Sequence, residues 1–308
     1  MDSTVRPLTA ADFDAVVALD ARIGGAARRG YFEKRLRAAL RQPRRHLQLA
    51  TVANGALTGF VLARKVGGEY GDPEGAVVLE AFGVDPAARH HGAGRRMLAR
   101  LEDLARERDI SALVTQAHWR DHGIIRFLDA AGFELAPRRI LEMPVQRLPV
   151  DDTDTAPPLV RNLREGDLES LVRIDERITG QDRGDYLRRK VDEVLHESAI
   201  EVSLVVEDDG YPVGFAMARV DFGDFGHLDA CASLDTIGVD PRFARHGFAG
   251  ALLAQMTENL AALHVERLET EVAPDAFELH RFLQRYGFAR SQRVAFRKEL
   301  ARLGSSGQ

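Results

Sequence analysis

A loop rich in arginine, histidine and glycine follows an apolar segment in the first half of the chain. It reads Arg89-His-His-Gly92-Ala-Gly94, and the amphipathic segment that begins at Gly92 predicts a helix directly after it. Glycine lets the backbone close around an anion because it has no Cβ. The free N–H groups at a helix start attract negative charge, and Arg89 and Arg95 can add charge-assisted hydrogen bonds. The pattern therefore predicts a phosphate or pyrophosphate site rather than a plain strand–helix turn.

Two common phosphate-binding loops do not fit this segment. A Walker A loop needs Gly-Lys-Ser/Thr, which the chain lacks here. A dinucleotide-binding fingerprint needs a third glycine at the position of Met97.

Segments of the chain recur at a constant offset of 155 residues, as from Val5 to Val160. GVDPAARHHGAG from Gly83 matches GVDPRFARHGFA from Gly238. A repeat this long predicts a duplicated domain, since solenoid units run to roughly 20–50 residues. In the second loop Ala244 replaces the first arginine, and Arg242 or Arg245 is a possible substitute.

The repeat divides the chain of 308 residues into two domains, residues 1–148 and 159–308. Residues 149–158 between them are acidic and end in proline, which is typical of a linker. Each copy ends in an apolar strand that needs a neighbour, Ile140–Met143 in the first. We therefore expect one compact body.

Each copy alternates apolar periods of helix and strand type, which predicts a mixed α/β fold. In the first copy the pattern predicts helices and strands in the order that follows: helices 11–22 and 31–40, strands 46–52, 59–66 and 77–84, helix 92–108, strand 112–116, helix 123–131, and two short strands within 133–145.

Composition limits the class of protein. There is no apolar run of 18 residues and no secretory signal, which favours a cytoplasmic protein without a membrane segment. A single cysteine, Cys231, excludes internal disulfides and a cysteine-built zinc site, and we expect no metal. The net charge of −5 argues against a nucleic-acid partner.

The loop, the element order and the repeat together resemble the GNAT N-acetyltransferase superfamily, whose signature is Arg/Gln-x-x-Gly-x-Gly/Ala. The resemblance extends to the Phe-x-x-x-x-Gly-Phe segments at Phe127 and Phe282. It implies two tandem GNAT folds, each a twisted, mostly antiparallel sheet with flanking helices, and acetyl-CoA as cosubstrate. It assigns the cofactor contacts to Phe82, Gly83, Val84, Arg89, His90, His91, Gly92, Ala93, Gly94 and Arg95 in the first copy, and to Ile237, Gly238, Val239, Arg245, His246, Gly247, Phe248, Ala249 and Gly250 in the second.

Two acids occupy matching places in otherwise apolar strands, Glu80 in the first copy and Asp235 in the second. A buried acid is costly without a partner or a role. Polyamine-type members of the family resemble this stretch, so Glu80 is a candidate general base and Asp235 its second-copy equivalent. A structural acid at the rim or in a salt bridge is the alternative.

The family's usual general acid is a tyrosine directly after the first phenylalanine of Phe-x-x-x-x-Gly-Phe. Leu128 and Leu283 stand there in this chain. Transfer does not require this acid, because a thiolate of pKa ~8.5 leaves tolerably without protonation. If another donor serves, Tyr31, Tyr70 and Tyr286 are unranked candidates.

The resemblance implies an N-acetyltransferase acting on a primary amine of a small molecule or peptide, with chemistry mainly in the first copy. The alternative is a non-catalytic acyl-CoA-binding regulatory protein. The acceptor stays undecided between two types. Acids and aromatics at 69–72 favour a cationic amine, and arginines at 28–35 favour a carboxylate.

Overall fold

The computed structural model describes residues 3–25, 27–67, 75–89, 91–146, 148, 158–197, 202–222 and 230–301. His90, Tyr70, the 69–72 loop and residues 149–157 of the predicted linker lie outside these ranges.

The first half contains four helices and seven strands among the described residues. They are β1 (Ser3–Pro7), α1 (Phe13–Gly24), α2 (Arg29–Arg41), β2 (His46–Ala53), β3 (Ala56–Val66), β4 (Ala76–Val84), α3 (Ala93–Arg106), β5 (Ala112–His118), α4 (His122–Ala130), β6 (Glu134–Leu135) and β7 (Arg139–Pro144).

The second half repeats this order, with a π-helical turn at Glu193–Glu197 after its second helix. Its elements are β8 (Leu159–Asn162), α5 (Leu168–Thr179), α6 (Gly184–Asp192), β9 (Leu204–Asp208), β10 (Tyr211–Phe222), β11 (Ala230–Val239), α7 (Phe248–Ala262), β12 (Arg267–Val272), α8 (Phe277–Arg285), β13 (Ala289–Arg290) and β14 (Arg293–Glu299). The predicted mixed fold and element order are confirmed, with boundaries that differ by a few residues.

Each half centres on a seven-stranded sheet in which a single neighbouring pair is parallel, β4 with β5 and β11 with β12. Strand β3 of the first sheet and strand β10 of the second are buried on both faces, which explains their continuous apolar runs. In β3, Val61 and Ala63 pack under α3 and α4, whereas Phe60 and Leu62 pack under α1 and α2. The second sheet is covered in the same way by α7 and α8 on one face and by α5 and α6 on the other.

The two halves exchange their last long strands. The first sheet has the order β1-β2-β3-β4-β5-β14-β6, and the second has β13-β7-β12-β11-β10-β9-β8. Phe296 of β14 lies in the core of the first sheet, and Leu141 and Met143 of β7 lie in the core of the second. The apolar terminal strands therefore find their neighbours in the other half. The domain bounds at 148 and 159 stay a prediction. Each sheet also contains one strand from the other side of these bounds.

A chain cut within residues 151–156 should therefore remain one particle. We expect a protease site introduced there to give two halves that co-elute on a sizing column without denaturant. Ala295→Pro, which places a residue without an N–H in the middle of β14, should weaken the association of the cut halves. Clean separation of the unsubstituted halves would contradict the strand exchange.

Candidate active site

A slot opens in each sheet where the parallel strands part. Pairing of β4 with β5 ends at Val78–Val114, although both strands continue. The Thr115 hydroxyl then donates across to the Leu79 carbonyl at 3.0 Å. Beyond that point the edge of β4 that faces β5 has no strand partner among the described residues, so its main-chain groups can pair with an extended ligand. Phe82, Gly83 and Val84 lie on this edge.

The second copy forms the same fork. Pairing of β11 with β12 ends at Ser233–Glu269, and the Thr270 hydroxyl donates to the Leu234 carbonyl at 2.8 Å. The predicted contact residues Ile237, Gly238 and Val239 lie on the continuing part of β11.

A glycine in the left-handed region starts the helix at the end of each slot. Gly92 has a φ of 77° and precedes α3, and Gly247 has a φ of 80° and precedes α7. Only glycine adopts this conformation without strain. The first N–H groups of each helix have no partner within the helix, and the helix dipole adds positive potential. Both copies therefore present an anion-binding geometry.

The arginine and histidine side chains described in the first loop point to solvent. Arg89, His91 and Arg95 are exposed, and Nε of Arg89 donates to the Val84 carbonyl at 3.4 Å. Ala93 is buried and Gly94 is half-buried at the start of α3. The exposed side chains can reach an anion placed at the helix start.

The second loop keeps the backbone but not all of the charge. Arg242 is held by Asp240 at 2.8 Å, so it is engaged elsewhere. The hydrogen bond from Arg242 holds the pKa of Asp240 below its usual range despite burial. Arg245 and His246 are exposed, and Arg245 is the remaining candidate for the missing arginine.

Aromatic side chains differ between the slots. In the first copy the rings of Phe82 and Phe127 lie 5.0 Å apart between β4 and α4. In the second copy the Tyr286 hydroxyl occupies the space where a Cβ at Gly250 would stand, against the first turns of α7. Of the candidate donors Tyr286 therefore lies beside the second glycine loop, whereas Tyr31 is buried in the cluster between α1, α2 and the sheet.

Glu80 and Asp235 are β-bulge residues. Across β3, Leu62 pairs with Ala81 and Ala63 with Leu79, which leaves Glu80 as the extra residue. Met217 and Ala218 pair with Thr236 and Leu234, which leaves Asp235 in the same place. A bulge bends the strand and redirects a side chain, and bulges recur next to active sites.

Both acids are buried in ion pairs. The Glu80 carboxylate lies 2.6 Å from Arg64 and 3.2 Å from Arg35. These cations come from the preceding strand, β3, and from α2.

The second copy repeats this arrangement with one change of residue type. Asp235 lies 2.8 Å from Arg219 of β10 and 3.0 Å from Lys190 of α6. Arg219 and Lys190 stand at the repeat offset from Arg64 and Arg35. Burial raises the pKa of Asp235, but the positive charges of Arg219 and Lys190 outweigh it and hold that pKa below its ordinary value.

A third acid, Glu193, joins the two sets. It lies 3.3 Å from Lys190, 3.6 Å from Arg219 and 3.7 Å from Arg64 of the other copy. Burial raises the pKa of Glu193, but these cations outweigh burial and place it well below its ordinary value. The buried ion-pair network is thus Arg35, Arg64, Glu80, Lys190, Glu193, Arg219 and Asp235.

These contacts match the salt-bridged alternative for Glu80 and Asp235, and a catalytic role for either stays a prediction. The sequence alone carries a signal for the network. Arg64 and Arg219 each follow an apolar strand segment at the repeat offset, as the two acids do.

Three arginines of the 28–35 segment are also paired with acidic side chains. Arg28 donates to Asp20 at 2.9 Å, Arg29 to Asp14 at 2.6 Å, and Arg35 pairs with Glu80. The hypothesis that this segment selects an acceptor carboxylate would require these pairs to open.

The described residues give no sign of a metal centre or a membrane span. No group of three or more histidine, cysteine, aspartate or glutamate side chains among the described residues is arranged to hold a metal ion. Over the same residues, every helix is too short or too polar to span a lipid bilayer.

The repeated fold, with one slot in each half, defines a tandem protein of the GNAT class. The chain belongs to the acetyltransferase (GNAT) family, whose model matches residues 15–133 and 168–288.

Individual relatives are more distant. A mycothiol acetyltransferase of Geodermatophilus obscurus is 42% identical over 96 residues, which cover 31% of this chain and 28% of that protein. The chain thus matches less than a third of the length of this curated relative.

Two solved structures share the fold across nearly the whole chain. A GCN5-related N-acetyltransferase from Sphaerobacter thermophilus has a TM-score of 0.63 at 17% identity, covering 97% of this chain and 96% of that one. A tandem GNAT protein from the clavulanic acid biosynthesis pathway has a TM-score of 0.65 at 17% identity, covering 97% and 99%.

The network predicts a large stability effect at Glu193. Glu193→Gln removes a negative charge from among buried cations, and such a loss costs about 3–5 kcal/mol in free energy of unfolding. Urea denaturation at neutral pH measures it. Glu176→Gln, at an exposed position on α5, is the matched control and should change stability by less than about 0.5 kcal/mol. Equal stability of the two variants would contradict a structural role for Glu193.

Proposed function

We propose that this protein transfers an acetyl group from acetyl-CoA to a primary amine of a small molecule or peptide. We place the chemistry mainly in the first copy. The observation that carries the proposal is the complete first loop, with left-handed Gly92 at the start of α3 and exposed Arg89 and Arg95 beside it. The match to a mycothiol acetyltransferase supports acetyl as the group transferred.

The first slot offers exposed arginines, a helix start and an open strand edge, which suit the charge and the extended arm of acetyl-CoA. The first N–H groups of α3, with Arg89 and Arg95, would hold the pyrophosphate. The open edge of β4 from Phe82 to Val84 would hold the pantetheine arm through main-chain hydrogen bonds. When bound, acetyl-CoA supplies an acetyl thioester.

An acceptor amine must lose a proton before it can attack a carbonyl carbon. A lysine-like amine has a pKa of roughly 10.4, so a base accelerates the reaction at neutral pH. Glu80 lies at the bulge beside the fork and is our candidate for this base. To accept a proton, its carboxylate must loosen its contacts with Arg64 and Arg35.

A non-catalytic acyl-CoA-binding protein is the second candidate. Two observations favour it. Both bulge acids are held in ion pairs, and the positions of the usual general acid carry Leu128 and Leu283, which are fully buried. In this case the loop binds the cofactor and the network is structural.

A screen of primary amines with acetyl-CoA separates the two candidates. Thiol release is measured with the full chain against the hydrolysis background. Release that depends on one amine class supports the transferase, and the absence of release with a broad panel, together with retained acetyl-CoA binding, supports the binding protein.

Glu80→Gln tests the base. If Glu80 is the base, this variant should retain acetyl-CoA affinity and lose turnover by ~10²–10⁴-fold, which is the usual contribution of a general base. Part of the rate should return at high pH, where more acceptor is already neutral. The measurement is a pH–rate profile per folded molecule, with Asp235→Asn as the second-copy comparison.

A structural Glu80 gives a different pattern. Glu80→Gln would then lower the melting temperature, and activity would fall only in proportion to the folded fraction. Equal turnover per folded molecule at pH 7 would remove Glu80 from the mechanism.

Arg89→Ala tests the first loop. It should weaken acetyl-CoA binding roughly 10- to 150-fold, the range for hydrogen bonds to charged groups. Calorimetry on the full chain measures the effect, with exposed Arg173 of α5 changed to alanine as a matched control. A tight site that survives Arg89→Ala unchanged would place the main cofactor site in the other copy, where Arg245→Ala should then weaken it.

A further inference from the structure

Helices α3 and α4 cover one face of the first sheet beside the slot. Helix α3 begins at the anion loop, and α4 carries Phe127, whose ring lies 5.0 Å from that of Phe82 on the slot edge. A Cβ at Gly94 would lie 3.3 Å from both rings. The space between the two helices is therefore narrow, and a shift of α4 against α3 changes the width of the slot.

A lysine from the other copy joins these two helices. Nζ of Lys298 on β14 donates to the Ala131 carbonyl at the end of α4 at 2.7 Å, and to the Glu102 carboxylate of α3 at 2.5 Å. The lysine side chain is 20% exposed and the glutamate side chain 12%, so water screens the pair only in part. A cation also interacts favourably with the dipole at a helix C-terminus. Lys298 thus holds the end of α4 against α3.

The carbonyl that Lys298 holds lies one helical turn from the slot wall. The Ala131 N–H donates to the Phe127 carbonyl at 3.0 Å, so the last turn of α4 connects the lysine to the aromatic ring. A hydrogen-bonded turn moves as a unit. The position of Phe127 in the slot therefore depends on the contact that Lys298 makes.

The second copy lacks these charges. The residues at the repeat positions of Lys298, Glu102 and Ala131 are Met143, Thr257 and Tyr286. Met143 lies in the core of the second sheet, and the Thr257 hydroxyl donates to the Ala254 carbonyl of its own helix at 2.9 Å. Apolar packing and the tyrosine ring thus join α7 to α8, whereas a charged contact joins α3 to α4.

We propose that Lys298 is a positioning residue for the first slot. By holding α4 against α3, it fixes the slot width that acetyl-CoA requires, so the second copy supports cofactor binding in the first. This inference rests on the proposed binding of acetyl-CoA in the first slot. It gives the exchanged strand β14 a role beyond completing the sheet.

Lys298→Met tests the proposal in the full chain. Methionine is the residue at the matching position 143, and Glu102 keeps its contact with Arg106 at 3.2 Å, so we expect the variant to fold. Calorimetry should show acetyl-CoA binding weakened by about 3- to 30-fold, less than for Arg89→Ala because Lys298 does not touch the cofactor. Hydrogen exchange without cofactor should accelerate over residues 122–131 and stay unchanged over residues 277–286.

Three further variants serve as controls. Arg297→Met changes the adjacent residue of β14, whose side chain lies on the opposite face of the sheet, and should bind acetyl-CoA as the unsubstituted chain does. Lys298→Arg keeps a cation and should restore most of the affinity. Lys298→Met/Glu102→Thr gives the first copy the pair of residues found in the second, without an excess carboxylate, and should bind as weakly as Lys298→Met.

The outcomes distinguish positioning from a purely structural role. A lower melting temperature of Lys298→Met with unchanged acetyl-CoA affinity overturns the proposal, as does equal weakening by Arg297→Met or unchanged hydrogen exchange in α4. Weakening by Arg89→Ala without weakening by Lys298→Met overturns this inference alone. No binding of acetyl-CoA by the unsubstituted chain overturns the proposed function as well.

Discussion

Strand β14 pairs with β5 over seven residues, from Arg293–His118 to Glu299–Ala112, and β7 pairs with β12 over six. Each sheet is therefore completed by a strand from the other half. Without it, β5 or β12 would expose a row of unpaired N–H and C=O groups next to the slot, and such an edge favours aggregation. The exchange also brings the apolar side chains of each donated strand into the core of the other half. The fold, the docking of the copies and the shape of both slots depend on this pairing.

Docking brings polar side chains of the two sheets into a water-poor space. Gln116 of β5 donates to Glu271 of β12 at 2.5 Å, and Arg293 of β14 donates to Gln116 at 3.0 Å. Burial raises the pKa of Glu269 to about 7, although Arg293 opposes the shift. The ion-pair network satisfies the same requirement on the bulge side, because a buried carboxylate needs a cation and hydrogen bonds. At the repeat position of Glu193 the first copy has Ala38, so one carboxylate of the second copy serves cations of both.

The residues that could be predicted from the sequence are those whose role is local. The loop from Arg89 to Gly94 and its second copy follow from glycine conformation and helix starts, and the order of helices and strands along the chain follows from apolar periodicity. The strand exchange could not be predicted, because β7 and β14 end equivalent copies and each suits either sheet. Nor did the sequence show that Glu80 faces Arg64, since the bulge that redirects the side chain depends on strand register. The sequence does not give the position of Tyr286 either. Its contact with Gly250 depends on how the end of α8 packs against α7.

The duplication allows the two copies to specialise without losing the shared frame. The first copy keeps the arginine of the anion loop. The second loop has Ala244 at that place, whereas the second copy contributes Glu193 to the shared ion-pair network. In the second sheet, adjacent residues of β10 such as Phe215 and Ala216 point to opposite faces and so to different cores. Helix α7 covers one of these faces, and α5 and α6 cover the other. Asp235 at the bulge pairs with Lys190 of α6, and Glu193 also contacts Lys190. Glu193 in turn lies near Arg64, which pairs with Glu80 in the other copy. The carboxylates at the two forks are therefore joined by a continuous series of ion pairs that neither copy forms alone.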